Sequence, residues 1–243
     1  YNYEVSYTNN TNANATNQSG ENNNNNAPTP EQTLSSNGTS PTLDQLRQYA
    51  LDKINKDREK YNLTDVQLGS NQAAQAYAED ILKTRELSHW LSNGDKPYMT
   101  YTRYGGLGAV QQSVALTGTQ DNYEQCLSGE YLCTPVDPYK EIDNHENELV
   151  YDNQACCNNA DSNNILDPHH TDVSIGIAYD NYSFVFVQNF ENNYIQYSKP
   201  VDEGNGTINI SGNVINGTLS GIEIRYDPMP TSCLLYTSDA ADE

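Results

Sequence analysis

His89 is the side chain in this sequence best suited to chemistry. It sits in the run Ser88-His89-Trp90, just past a stripe of apolar residues at helical spacing. A neutral imidazole is a good ligand for a divalent ion. Beside Trp90 the same ring can equally sit at a surface or core edge without a ligand. Ser88-His89 is a dipeptide and not a catalytic dyad, because neighbouring side chains seldom reach each other productively. Asp143, Glu146 and Glu148 gather carboxylates on a predicted helix, where a solvated acidic face explains them as well as a ligand role does. His169 and His170 are adjacent on a predicted loop. Adjacent side chains point different ways and rarely chelate one ion together, so both are expected to be exposed. The sequence has no Gly-x-Ser-x-Gly, no His-Glu-x-x-His and no Gly-rich phosphate loop, so it offers no nucleophile constellation.

The cysteines point to an oxidising compartment. Cys233 falls in residues 233–243, which resemble the translation of a transposase-type sequencing adapter and are read as a non-native tail. Four cysteines then remain: Cys126, Cys133, Cys156 and Cys157. An even count in an exported chain favours disulfides, with three connectivities. A bond between Cys126 and Cys133 leaves a strained vicinal pair at Cys156-Cys157. Crossed pairing, which the reading prefers, joins each of the first two cysteines to one of the vicinal pair. A zinc site of four thiolates is disfavoured because the paired Cys-x-x-Cys knuckles are missing.

The elements that must position His89 are readable on either side of it. Thr42-Leu43-Asp44-Gln45 is a capping box, and Leu43, Leu46, Ala50 and Ile54 carry helical spacing to about Tyr61. Ser70 is the expected cap of a second helix, with Ala73, Ala74, Tyr77, Ala78, Ile81 and Leu82 as its apolar stripe. Pro97 suits the first position of a short helix. Ala109 to Ala115 reads as a strand, 116 to 138 as a Cys-bearing insertion, and Tyr139 to about Gln154 as a helix. The most strongly patterned segment comes next. Val173, Ile175, Ile177 and Tyr179 share one face of a strand, and Ser174, Gly176 and Ala178 share the other. A face of small residues lets another layer approach closely. Asp180-Asn181 makes the connection. Phe184, Val185, Phe186 and Val187 are apolar on both faces, as in a central strand covered on two sides.

Residues 1–39 are Asn, Thr, Ser, Gly and Pro with almost no aliphatics; they are expected to be a disordered linker or stalk. After Pro200, short alternating stretches at Thr207 to Ile210, Val214-Ile215 and Gly221 to Tyr226 read as strands of a small module or extension. The formal net charge of -21 repels phosphate backbones and argues against nucleic-acid binding. No apolar run reaches the length of a membrane span. Sequons begin at Asn9, Asn14, Asn17, Asn37, Asn62, Asn181, Asn205, Asn209 and Asn216. Some arise by chance in an Asn-rich chain; those that are modified mark exposed loops of an exported protein. The chain begins without Met or signal peptide, which fits either a removed signal or a fragment.

Asn164-Ile165-Leu166, Pro168, Thr171, Gly176 and Gln188-x-Phe190 together resemble the end of a CAP domain, the SCP-like family of cysteine-rich secretory, antigen 5 and pathogenesis-related proteins. The likeness spans roughly residues 41–197. It implies an α+β fold, a three-layer α-β-α sandwich over 40–199, with the tail before it and a β-rich extension over 200–232. Ser88-His89, Gly94-Asp95-x-Pro97 and Arg103 fit the first His motif of that family. The resemblance implies a cleft at His89, Gln112, Glu148 (or Glu146 nearby) and Asp161, with Gln112 standing where the family carries Glu and Asp161 where it carries the second His. This set has fewer soft donors and more oxygen, so a metal on His89, Glu148 and Asp161 would be calcium or magnesium before zinc. One of His169 and His170 could swing in to replace the missing imidazole.

Three functions follow. The first is a secreted or cell-surface domain with a degenerate cleft that binds an extracellular ligand or protein without catalysis. The second is a metal-assisted extracellular hydrolase of peptides or wall polymers. The third is a structural surface glycoprotein, with Asn62, Asn181, Asn205, Asn209 and Asn216 as glycosylation candidates. The reading favours a non-enzyme.

Overall fold

The computed structural model describes residues 4–6, 40–152 and 159–222. In chain order the elements are β1 (Glu4–Ser6), α1 (Leu43–Lys60), β2 (Gln67–Leu68), α2 (Ala73–Thr84), α3 (Pro97–Arg103), β3 (Ala109–Thr117), α4 (Gln120–Ser128), α5 (Pro138–Asn147), α6 (Ala160–Ile165), β4 (Asp172–Tyr179), β5 (Phe184–Asn192), β6 (Ile195–Tyr197), β7 (Val201–Asp202), β8 (Thr207–Asn209) and β9 (Gly212–Val214).

The local signals act where the sequence puts them. Thr42 caps α1: its Oγ1 accepts from Gln45 N at 3.2 Å, and Gln45 Oε1 accepts from Thr42 N at 2.9 Å. Such a reciprocal cap contributes on the order of 1 kcal/mol. Pro97 opens α3. The start of α2 differs from expectation. Asn71, not Ser70, supplies the oxygen, with Oδ1 accepting from Ala73 N at 3.0 Å. Its amide nitrogen also donates to Tyr101 O at 3.1 Å, so one side chain both starts α2 and ties it to α3.

Four strands form the central sheet in the order β2-β4-β5-β3, with β2 parallel to β4 and both other pairs antiparallel. The apolar alternation sorts its two faces. Val173, Ile175 and Ile177 of β4 and Phe184, Phe186 and Phe190 of β5 meet Leu46, Ala50 and Ile54 of α1 and Ile142 of α5. On the other face, Ala178, Val185, Val187 and Val114 meet Ala74, Tyr77, Ala78 and Ile81 of α2. Helices thus cover both sides, which makes the domain an α+β three-layer sandwich. β5 lies inside the sheet and is apolar on both faces, as its sequence requires. Each fully buried Phe or Val stabilises by ~1.5–3 kcal/mol.

The small face of β4 is where α2 docks. A Cβ at Gly176 would stand 2.0 Å from Ala74 O and 2.3 Å from Ala74 C. Only the missing side chain allows the helix backbone that close.

Arg58 ties the end of α1 to the chain that precedes β4. Its side chain is fully buried, and it donates to three main-chain oxygens: Thr64 O at 3.0 Å, Ile165 O at 2.7 Å and Asp167 O at 2.9 Å. Burial lowers its pKa, opposed by nearby Asp167 and Asp65.

Outside the sandwich, β7 and β8 form a hairpin, and β6 pairs with β9. The extension after Pro200 is therefore tied back to the strand that follows β5. Of residues 1–39 only β1 is described, and it pairs in parallel with Thr207–Asn209. The reason is physical: an open strand edge offers backbone donors and acceptors to any passing chain, whatever its side chains. The insertion between β3 and α5 carries α4, none of whose side chains is buried. Asn147 ends α5, and the chain passes into a π-helical turn at Glu148–Asp152 that turns Leu149 and Val150 into the core. The rest of the helix expected to reach Gln154 lies outside the described residues.

Candidate functional site

The loop that carries His89 leaves α2 at Arg85, the left-handed C-cap (φ 55°). Arg85 pairs with Asp180 Oδ2 at 2.6 Å and lies 3.6 Å over the Tyr123 ring. Tyr77, wholly buried on α2, reaches up into the loop. Its hydroxyl lies 2.8 Å from Asp95 O and 3.2 Å from His89 O. Asp95 also pairs with Arg103 of α3, whose hydrogen bond, aided by Asn93, lowers the Asp95 pKa against the opposing effect of burial. Lys96 Nζ sits 5.5 Å over the Trp90 ring. The residues read from sequence as Gly94-Asp95-x-Pro97 and Arg103 thus work as the frame of the His89 loop.

His89 faces the sheet. Its Nδ1 lies 3.0 Å from Gln112 Oε1. An amide oxygen only accepts, so the network assigns a ring proton to Nδ1. Gln112 Nε2 donates in turn to Asn189 Oδ1 at 2.9 Å. Gln112 and Asn189 are directly paired across β3 and β5, which brings their side chains to one face. The Asn189 side chain is fully buried, and its Nδ2 has no partner among the described residues. The result is a polar ladder running from a half-buried imidazole to a buried amide.

The other two expected positions lie elsewhere. Gln112 has the parity of Val114, on the α2 face. Ser113, Ala115 and Thr117 point to the opposite face. There His145 Nε2 meets Thr117 Oγ1 at 2.8 Å, and its Nδ1 meets Glu148 Oε2 at 3.1 Å. Glu148 is 67 % exposed, so it serves as an outward partner of His145. Asp161 lies in the first turn of α6, whose Asn164 donates to Ser113 Oγ at 2.9 Å on that same face. The structure therefore brings His89 and Gln112 together and hangs Glu148 and Asp161 on elements of the opposite layer. No three His, Cys, Asp or Glu side chains among the described residues gather as a metal group would.

His170 corrects the expectation of two exposed histidines. His169 is exposed, with its ring beside Asp167 at 2.7 Å. His170 is buried and stacked on Phe190, ring centroids 4.9 Å apart. Its Nε2 donates to Asn164 Oδ1 at 3.0 Å. With the Asn192 amide turned nitrogen-inward, that group donates to His170 Nδ1 at 2.8 Å and to His169 O at 3.0 Å. Burial is the main cause of its lowered pKa and keeps the ring neutral. Ser113, Asn164, His170 and Asn192 form a structural relay, and His170 is not free to swing toward His89. Adjacent residues do point apart, but here one of the two directions is the core.

Three groups important to the site's frame escaped the sequence reading. His145 was passed over. Glu146, for which the sequence leaves a ligand role and a solvated face equally open, is buried against Gln188, whose Nε2 donates to Glu146 Oε2 at 2.5 Å. Glu191 is buried between Ser174 Oγ (2.5 Å) and the Tyr101 hydroxyl (2.9 Å). The Gln188-x-Phe190 pattern carried the signal for the Glu146 pair, because a buried Gln needs a polar partner.

The disulfide joins Cys126 to Cys133, with Cα atoms 5.5 Å apart, and not in the crossed pattern. Gly129, in a left-handed conformation (φ 74°), ends α4 and turns the chain back on itself, which brings the two cysteines within bonding distance. Cys156 and Cys157 lie outside the described residues. The sequon residues Asn62, Asn181, Asn205, Asn209 and Asn216 are all exposed.

No protein-family model matches the chain, and no curated protein matches it. Solved structures do. An extracellular protein containing an SCP domain from Bacillus anthracis is 16 % identical with a TM-score of 0.40, over 64 % of this chain and 45 % of its own. An outer surface protein from Borrelia burgdorferi is 14 % identical with a TM-score of 0.45, over 64 % and 98 %. The CAP domain of enterococcal PrgA is 13 % identical with a TM-score of 0.38, over 63 % of each. The chain thus spans less than half of the Bacillus protein and under two thirds of the enterococcal one. Its similarity to CAP/SCP-domain structures is one of fold.

Proposed function

We propose that this is a CAP/SCP-like domain of a secreted or cell-surface protein that binds an extracellular ligand or protein partner through the His89 face and does no chemistry on it. One observation carries the reading: the group that meets His89 is the amide of Gln112, backed by the amide of Asn189. An amide pair can donate and accept hydrogen bonds, but it neither removes a proton from water nor balances the charge of a bound cation. An array of fixed donors and acceptors suits recognition. The acidic balance of the chain, -21, supports a partner that is neutral or basic at its contact surface.

The test uses the whole chain after dialysis. Zinc and calcium content is measured by elemental analysis, and turnover is assayed on casein and on purified wall polymer. The expected result is no stoichiometric metal and no turnover above that of the His89→Ala variant. Turnover or metal uptake that disappears in His89→Ala would replace this reading with the metal-assisted hydrolase. A structural glycoprotein is the second reading, favoured by the exposure of the five sequon asparagines. Mass spectrometry of the exported protein, with glycans at those sites and unchanged partner binding on His89→Ala, would support it.

A further inference from the structure

The insertion between β3 and α5 holds apolar side chains out in water. Leu127 and Tyr131 are more than half exposed, and Leu132 is wholly exposed. All three lie between Cys126 and Cys133, inside the loop that the disulfide closes. None belongs to either hydrophobic cluster. Scattered exposed leucines are ordinary, but three large apolar side chains in one short ring are a concentration that folding does not explain.

The insertion is built to present them. Its base is fixed: the Arg85 guanidinium lies 3.6 Å over the Tyr123 ring, Ser183 Oγ donates to Gly118 O at 2.9 Å, and Val136 N donates to Asn181 O at 2.9 Å. Val136 also packs against the main core. Its tip is fixed as well. Gly129 N donates to Cys126 O and Tyr131 N donates to Gln125 O, each at 3.3 Å, and the disulfide locks the turn between them. Because α4 buries no side chain, this order serves no core. A cross-link removes freedom that a partner would otherwise have to freeze out, so a fixed tip binds more tightly than a loose one.

Charge selects the partner. Asp121, Glu124 and Glu130 are exposed on the same segment, and from Tyr104 to Tyr139 the sequence has no Lys or Arg. An anionic lipid surface would repel this segment, and so would a second copy of a chain with net charge -21. A neutral bilayer would take up the leucines but leave the carboxylates without partners. A protein surface of opposite charge satisfies both.

We infer that the disulfide-closed tip docks into an apolar pocket rimmed by lysine or arginine on another protein, with Leu127, Tyr131 and Leu132 entering the pocket and Asp121, Glu124 and Glu130 meeting its rim. None of these residues belongs to the His89 ladder, so the docking stands whether or not His89 binds anything.

The probe is a synthetic amphipathic helical peptide of leucine and lysine, with a leucine–glutamate peptide of the same pattern as control. Binding to the full chain is measured by calorimetry for the wild type and for Leu127→Ser/Leu132→Ser. These substitutions leave the charge unchanged and touch no buried group, and a melting curve matching wild type confirms the fold. Leu132→Ser alone, at a wholly exposed position, keeps the test if the double variant fails to fold. The lysine peptide is expected to bind, more weakly as salt is raised, with affinity at least ~tenfold lower in the variant; the glutamate peptide is expected not to bind. Equal affinity of wild type and variant, or no binding of the lysine peptide, overturns the proposal. So does co-sedimentation with phosphatidylcholine vesicles that the variant loses, which assigns the tip to a membrane. A concentration-dependent dimer that the variant loses also overturns it and assigns the tip to a second copy.

Discussion

Replacing Gly176 with alanine tests the docking of α2, and with it the position of His89. The new methyl carbon would lie 2.0 Å from Ala74 O, 2.3 Å from Ala74 C and 2.8 Å from Gln75 N. All three are backbone atoms of a helix, so no side chain can swing away to make room. The helix must retreat by more than an ångström, which thins its contact with Val114, Ala178, Val185 and Val187. Overpacking of this kind costs ~1–3 kcal/mol when side chains can adapt; against backbone, the upper figure is the reasonable one. For a domain of this size ~3 kcal/mol lowers Tm by about 6–12 °C. Because Tyr77 on the same helix holds the His89 loop at Asp95 O and His89 O, the His89–Gln112 contact should move too. Circular dichroism melting gives the first quantity, and the imidazole nitrogen shift of His89 gives the second. A Tm within about 2 °C of wild type with an unshifted His89 signal would refute the claim that the small face of β4 sets the helix distance.

Other outcomes are expected. The ring of His170 should titrate with a midpoint below 6.5, the ordinary value of histidine, because burial disfavours its charged form. The stability it contributes is therefore complete above 6.5 and is lost as the pH falls through the lower folded value; a midpoint of the His170 ring-carbon shifts at or above 6.5 would contradict this. Tyr101→Phe removes the hydroxyl that donates to Glu191 Oε2 at 2.9 Å. It should cost ~1–3 kcal/mol in denaturant unfolding, and a neutral result would mean that Glu191 finds another partner. Reducing Cys126–Cys133 should melt α4 alone, since that helix buries no side chain. Amide exchange should quicken across Gln120–Ser128 and stay slow in β5; faster exchange in both would show that the insertion supports the core.

Signals confined to one stretch of chain were legible. The Thr42 box, Pro97 at the head of α3, the large and small faces of β4 and the two-sided apolar character of β5 each depend on neighbours within a turn or a strand. What was missed depends on partners far along the chain. Ser70 and Asn71 are both plausible caps, and only the Tyr101 carbonyl, 30 residues on, makes Asn71 the better one. His169 and His170 look alike until Phe190 stacks on one of them. Glu146 reads equally as a cleft acid or as part of an acidic helix face because its partner is 42 positions away. At the site, adjacency of His89 and Gln112 followed from the family pattern, but the pattern also grouped them with Glu148 and Asp161. Strand parity separates Gln112 from Ser113, and it is on the Ser113 side that α6, which carries Asp161, and His145, the partner of Glu148, meet β3.

Arg58 binds carbonyl oxygens, which do not titrate. Acid that neutralises exposed carboxylates weakens surface ion pairs, but it leaves the guanidinium's three oxygens unchanged. Souring the medium should therefore strip this protein from its rim inward, and the knot between the foot of the first helix and the entry to the fourth strand should be among the last parts to let go.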